Sequence, residues 1–343
     1  SCYNTISGNN ITANSYAGIE LFGGYRACRY NNISENTIAG NGLGVWIRFS
    51  SNNKIYHNNF LNNWKQVEIN YGEDITPYTV NVWDNGYPSG GNYWSDYTGI
   101  DLYSGPYQNV TGSDGIGDTP YVIDANNTDN YPLMGPWTVE GENVTVEPSS
   151  DLSLTFEYVS CSGITWVNKT DVGPDPPSGF RLAEHYYDVR TTANYSGWIE
   201  VKIVYDDSNM TSEEEANLRL MQWNEASQQW VDITTRLDTA SNQIWGRTTH
   251  LSYFAIVLGL EHDVKIESVS FSDPNPKVNE TITIYVTITN LGSCTETFIV
   301  SVNCTLLANS QENETISQTI TLTPRETMTL NFTWTPKKAG MYE

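Results

Sequence analysis

The first seventy residues repeat, and the repeat leaves few folds open. Residues 4–11, 31–38 and 53–60 superpose, with asparagine at the first and sixth positions (Asn4 and Asn9, Asn31 and Asn36, Asn53 and Asn58) and an apolar residue at the third and eighth. A second apolar register follows each copy, in Ile19-Glu20-Leu21, Val45-Trp46-Ile47 and Val67-Glu68-Ile69. The copies stand about 27 and 22 residues apart, which suits one turn of a parallel β-helix per copy. The apolar residues then point inward and stack rung on rung. The asparagines take the corners, where they tolerate left-handed backbone and form side-chain ladders. A leucine-rich repeat would need Leu at every second or third position, and none is present.

These coils, over residues 1–73, resemble the right-handed β-helix repeats of NosD-like and of carbohydrate-binding and sugar-hydrolysing families. Asn81-Val82-Trp83-Asp84-Asn85-Gly86, Gly91-Asn92-Tyr93-Trp94-Ser95-Asp96-Tyr97 and Asp114-Gly115-Ile116-Gly117-Asp118-Thr119-Pro120-Tyr121 come next, ending in Asn130-Tyr131-Pro132-Leu133. They resemble the closing segment of archaeal NosD-like surface proteins, which implies a loop-rich cap over the last coil, here 74–136. Copper chemistry is not implied, because the four histidines are scattered and no Met or Cys cluster accompanies them.

Two candidate sites lie in this part. Asp96, Asp101, Asp114 and Asp118 are hard oxygen donors spaced by glycines, the pattern of a loop folded round Ca²⁺, although Ser113 and an eleven-residue insertion at 102–112 interrupt it. Glu20, Trp46 and Glu68 share one outward column. Two carboxylates two rungs apart stand about 9.6 Å from each other, the wide end of inverting-glycosidase separations, with an aromatic between them suited to a sugar. A solvated outer face is the plainer expectation for the three, and no set of residues fills the nucleophile, base and orienter roles together. The sequence therefore predicts no enzyme.

Gly135-Pro136-Trp137 marks a boundary. Period-two alternation beyond it, as in 152–158, 198–205, 218–223 and 253–257, predicts an antiparallel sandwich over 137–260. Residues 212–215 (Ser-Glu-Glu-Glu) make one helical turn with acids at its start. The runs through Gln229-Trp230-Val231-Asp232-Ile233 and His250-Leu251-Ser252-Tyr253-Phe254 resemble a β-sandwich module of archaeal and bacterial surface proteins. His185 and His250 are read as hydrogen-bonded residues and not as metal ligands. Over 261–343, Asp273-Pro274-Asn275-Pro276, Val286-Thr287-Ile288-Thr289-Asn290-Leu291-Gly292 and Phe332-Thr333-Trp334-Thr335-Pro336 resemble a CARDB-type immunoglobulin-like module of adhesion and surface proteins. Five strands are expected there, with a sixth starting near Gly340, where a sandwich needs about seven. The exposed seam points to a piece of a longer chain, or to a strand supplied by another subunit. The fold class is thus all-β: a short right-handed parallel β-helix with a loop-rich cap, then two β-sandwich domains.

Asparagine also gives an address. With 36 Asn and 66 Ser plus Thr in 343 residues, chance would give about 36 × 66/343, or roughly 7, N-x-S/T triplets. There are 12, at Asn10, Asn32, Asn109, Asn126, Asn143, Asn168, Asn194, Asn209, Asn279, Asn303, Asn313 and Asn331, as expected of an extracellular chain carrying N-linked glycans. Lys plus Arg number 17 and Asp plus Glu 40, so the formal charge is 17 − 40 = −23. That excludes a nucleic-acid binder, and no apolar run is long enough to span a membrane. The five cysteines form no CxxC pair. Cys2 and Cys28 could meet across neighbouring coils, and Cys161 is left open. Cys294 and Cys304 flank one strand too far apart to bridge, and alternation turns Cys304 inward. The expected function is structural or adhesive, in an S-layer, sheath or filament of an archaeal cell surface that self-associates or contacts its neighbours. The alternative is a polysaccharide-binding or polysaccharide-cleaving β-helix on a sandwich stalk.

Overall fold

The computed structural model describes residues 2–23, 28–70, 79–177, 179–259, 263–292, 294–307 and 313–342. The domain boundaries expected at 73/74 and 260/261 fall outside these residues. Strand is almost the only regular structure of the described chain, with one short helix, Ser212–Ala216, begun by a capping box of Thr211 and Glu214. Among the described residues no helix is long and apolar enough to cross a membrane. The chain separates into two compact units, Ser1–Asp175 with Ala183–Asn209 and Arg219–Ile256, and Pro176–Leu182 with Met210–Leu218 and Val257–Glu343.

In the first unit, each repeat lays one strand in each of three parallel sheets. The first copy gives β1 (Thr5–Ser7), β2 (Asn10–Thr12) and β3 (Ala17–Phe22). The second gives β4 (Asn32–Ser34), β5 (Thr37–Ala39) and β6 (Leu43–Arg48), and the third β7 (Lys54–Tyr56), β8 (Asn59–Leu61) and β9 (Lys65–Asn70). The sheets run β1-β4-β7, β2-β5-β8 and β3-β6-β9, and a fourth rung, β10 (Tyr93–Trp94), continues the second. The register stacks Ile6 on Ile33 on Ile55, and Ile11 on Ile38 on Phe60 on Trp94. Ile33, Ile38, Ile55 and Phe60 are fully buried.

The asparagines join the coils. Asn9 donates its backbone and side-chain N–H to Asn36 Oδ1 at 3.1 and 2.9 Å, Asn36 does the same to Asn58, and Asn58 to Asn92. That is the second ladder in chain order; the first runs Asn4, Asn31, Asn53, Asn81 and Asn127, and the third Asn14, Asn41 and Asn63. The other side-chain hydrogens go to main-chain carbonyls, as from Asn58 to Ile33 O and Tyr56 O. A buried amide is thus used on both its oxygen and its nitrogen. One expectation is corrected: within the three repeats, the left-handed residue is the one before each laddering asparagine. Tyr3, Tyr30 and Asn52 (φ 61°, 59° and 58°) precede the first ladder, and Glu35 and His57 (φ 61° and 58°) the second. The turn that precedes the corner aims the next side chain along the stack, so the laddering residue itself needs no unusual φ.

Residues 79–134 close the stack. Trp94 lies flat between Phe60 and Tyr121, 4.3 Å from each, and Trp83 packs beside it. The two indoles donate to Asn127 Oδ1 and Asp129 Oδ2, so each occupies the end of a ladder. Gly91 leaves room for the Asp129 carboxylate, whose oxygen a Cβ there would meet at 1.9 Å. The insertion at 102–112 forms a small hairpin, Tyr103–Ser104 against Val110–Thr111.

A joint links the third coil to the neighbouring sheets. The Trp137 ring stacks on His57 at 3.5 Å, and Asn59 both accepts from Trp137 N and donates to Trp137 O. Beyond it, Gly141–Ser149, Leu152–Cys161, Asn194–Val204, Gln243–Thr248 and Thr234–Asp238 form an antiparallel sheet. A second, six-stranded sheet begins with Trp137–Thr138 and Gly163–Thr170. Leu220 and Ile233 press on Gly246 so closely that a Cβ there would fall within 2.9 Å of both. Buried Thr248 donates to Gln222, which donates in turn to His250 O at 2.7 Å.

In the second unit, Val264–Phe271, Ile282–Asn290 and Thr327–Trp334 form one antiparallel sheet and Glu296–Thr305 with Asn313–Leu322 another. Ile284, Val286 and Phe332 share one core with Val300, Cys304 and Leu322 across the two sheets. Cys304 is turned inward. Tyr342 makes a single bridge to Leu306 beyond the fifth strand.

Candidate functional site

The outer face of β3, β6 and β9 gathers aromatic, acidic and amide side chains round one concavity. The register sets Glu20, Trp46 and Glu68 side by side in one row, as the outward parity of the second register predicts. Trp46 is fixed from three sides. Its Nε1 donates to Asn70 Oδ1, Tyr16 meets it edge-on at 5.0 Å, and the Arg48 guanidinium lies 4.4 Å over its ring. Trp64, which enters β9, is 85% exposed. A shallow open concavity is lined by Tyr16, Leu43, Trp46, Trp64, Glu68 and Asn70.

The carboxylates do not face each other across a gap. Glu20 pairs with Arg48 at 4.0 Å, and Glu68 pairs with Lys65 and accepts from Asn70. With both acids engaged by cations, the face offers flat apolar rings rimmed by hydrogen-bonding groups. The sequence found Trp46 by its place in the repeat. It missed Tyr16 and Trp64, which lie in the turns leading into β3 and β9 at the register position that Gly42 holds in the second coil, so that column carries an aromatic in two of the three repeats.

Of the aspartates expected to hold calcium, Asp101, Asp114 and Asp118 accept from main-chain N–H groups and Asp96 from side chains. Asp101 accepts from Ser113 Oγ and Gly115 N at 2.6 and 2.7 Å, and Asp118 from Leu102 N and Tyr103 N at 3.0 and 3.1 Å. Asp114 accepts from Ile116 N, and Asp96 accepts from Tyr121 OH and Gln66. Burial raises Asp101 above the usual carboxylate range, against these bonds. The four do not converge: among the described residues, no three His, Cys, Asp or Glu side chains come together as a metal site. Asp101, Asp114 and Asp118 act as acceptors for loop N–H groups.

Of the twelve sequon asparagines, Asn10, Asn109, Asn126, Asn143, Asn168 and Asn194 are exposed, as are Asn209, Asn279, Asn303, Asn313 and Asn331, while Asn32 is half-buried in β4. Cys28 and Cys304 are buried, Cys294 is half-buried, and Cys2 and Cys161 are exposed. His185 sits at the surface with its Nδ1 2.6 Å from Asp171 Oδ1, and His250 is exposed.

Two buried ionisable groups escaped the sequence. Asp129, fully buried, accepts from Asn92 N, Trp94 Nε1 and Tyr131 N, yet burial pushes its pKa up to about 7. His57, 6% exposed, is drawn down to about 4 by the same desolvation, against a bond to Ser89 O.

Residues 1–99 match the family model described as periplasmic copper-binding protein (NosD), and residues 261–343 match the CARDB model. The chain thus carries a NosD-type segment at one end and a CARDB segment at the other. No curated protein and no solved structure matches it. The residues present do not suit copper: His57 is locked between Trp137 and Ser89, and among the described residues no cluster of metal-ligating side chains lies beside it.

Proposed function

We propose that this chain is a non-catalytic structural or adhesive subunit of an extracellular assembly, an archaeal S-layer, sheath or filament. It is read as a right-handed parallel β-helix with its cap, a surface-protein β-sandwich module and a CARDB-type sandwich in series. The observation that carries this is the continuity of the bonding. Ladders of amides run through the coils into the cap, and the third coil is stacked and hydrogen-bonded to the next sheet through His57, Asn59 and Trp137. Such a build resists bending and keeps its shape without a ligand. The exposed sequons support an extracellular, glycan-coated surface, and the periplasmic wording of the NosD model supports a place outside the cytoplasm. A charge of −23 suits bridging of neighbours by divalent cations. Strand exchange through the last module is the proposed mode of self-association.

Electron micrographs of native material test the reading. Ordered arrays or filaments are expected, with glycans on the exposed sequons by mass spectrometry. A dispersed, unglycosylated monomer would end it.

A further inference from the structure

We propose that the face of β3, β6 and β9 binds a linear, neutral hexopyranose chain, a ligand assignment that rests on the adhesive reading above. Each coil supplies one aromatic side chain to the same concavity: Tyr16 from the first, Trp46 from the second and Trp64 from the third. Successive rungs lie about 4.8 Å apart, so a polymer laid along the stack meets a new ring at each step. A single sugar would meet only one or two.

The rings are prepared for this in different ways. Trp46 is held by Asn70, Tyr16 and Arg48, so little freedom is lost when a ligand covers it. Trp64 is 85% exposed and packs in none of the buried clusters of the described residues. An indole face in water gains by being covered, and the apolar C–H face of a pyranose matches it in size and flatness. Asn70 and Glu68 border the rings with donors and acceptors for ring hydroxyls, the few placed polar groups that orient a ligand in an otherwise apolar site.

Charge selects among polymers. Glu20 and Glu68 are matched by Arg48 and Lys65, so the face is locally neutral in a chain of net charge −23. An anionic polysaccharide meets repulsion from the rest of the molecule and gains no unpaired cation at the site. A neutral chain meets neither obstacle. The paired carboxylates leave the bound chain uncut.

The test is calorimetric titration of the full chain with hexamers of β-1,4-linked glucose and β-1,4-linked mannose, their monomers, and hexagalacturonate. At least one neutral hexamer is expected to bind, with its monomer and hexagalacturonate at least about tenfold weaker. Trp64→Ala should weaken binding at least about tenfold with an unchanged Tm, because that side chain supports no core. Trp198→Ala, on a different sheet, should bind as the parent does. Failure of both neutral hexamers, equal binding of hexagalacturonate, or parental affinity in Trp64→Ala would overturn the assignment. Micrographs of the same preparations separate the two readings: arrays formed by a chain that binds no hexamer sink this site alone, and binding by a chain that forms no array sinks the structural reading alone.

Discussion

Asp129 stands where one more asparagine would continue the second ladder, and the exchange is chemically sensible only there. Every inner member of the ladder must accept on Oδ1 and donate from Nδ2, as Asn58 does between Asn36 and Asn92. A carboxylate cannot donate, so it fits at the terminus alone, where three N–H groups converge on it. Its cost is titratable. The folded pKa of about 7 lies above the ordinary value of 3.8, so the unfolded chain releases this proton first, and stability falls as pH rises from about 4 to about 7. Asp129→Asn should therefore unfold at higher urea than the parent at pH 8, by a few kcal/mol, and the gap should close near pH 4. His57 runs the other way. Its folded pKa of about 4 lies below 6.5, so its contribution is complete above pH 6.5 and lost as pH falls towards 4. His57→Phe keeps a ring against Trp137 and should flatten the acid limb of the stability–pH curve. Within the ladder, Asn58→Ala strips Asn36 of its acceptor and leaves buried N–H groups unmatched, and should cost about 3 kcal/mol or more in urea unfolding.

At the scale of elements, the repeat was readable because a coil fixes both which residues face inward and how far apart they recur. Asn4, Asn31 and Asn53 fall at one register position, and their structure follows from it. The left-handed corners were not readable in the same way. Tyr3, Ala13, Glu35 and His57 share a backbone shape and no chemistry, since the fold imposes the turn and the side chain merely tolerates it. Asp129 was hidden for another reason: it lies 37 residues beyond Asn92, in a cap with no period. The pattern proposed for calcium is ambiguous in a similar way. Glycine-spaced aspartates also describe turns whose N–H groups need acceptors, and here those groups claim the oxygens of Asp101 and Asp118. A chelator should leave the Tm unchanged, and a drop of several degrees would restore the cation. The alternation of the later strands gave the sheets, but the Gln222–Thr248 pair between them spans 26 residues and carries no motif. Replacing Thr248 by Val strands the Gln222 amide oxygen in a dry site and should cost about 1–3 kcal/mol, read by the same denaturant titration.

At the scale of the molecule, the exposed sequons predict a readout that separates one from the rest. Peptide mass spectrometry of natively produced protein should find glycans among the eleven exposed asparagines and none on Asn32, whose Oδ1 is buried within β4. Heavy occupancy of Asn32 would mean that the second coil opens or is modified before it folds. The ladders carry a further consequence. All of their amides point the same way, each giving hydrogens to the coil that comes later, so their dipoles add along the column and each bond polarises the next. The negative end of Asp129 sits at the head of that arrow. A coil is therefore an interchangeable part with a direction. Excising residues 31–52 would set Asn53 beneath Asn4 and Asn58 beneath Asn9 with the same two matings restored, whereas removing one residue between Asn31 and Asn36 would throw the two columns out of step. The five residues by which the first coil exceeds the second fall outside the laddered stretch, so spare length is tolerated only there, and within that stretch the molecule can lengthen or shorten only by whole windings.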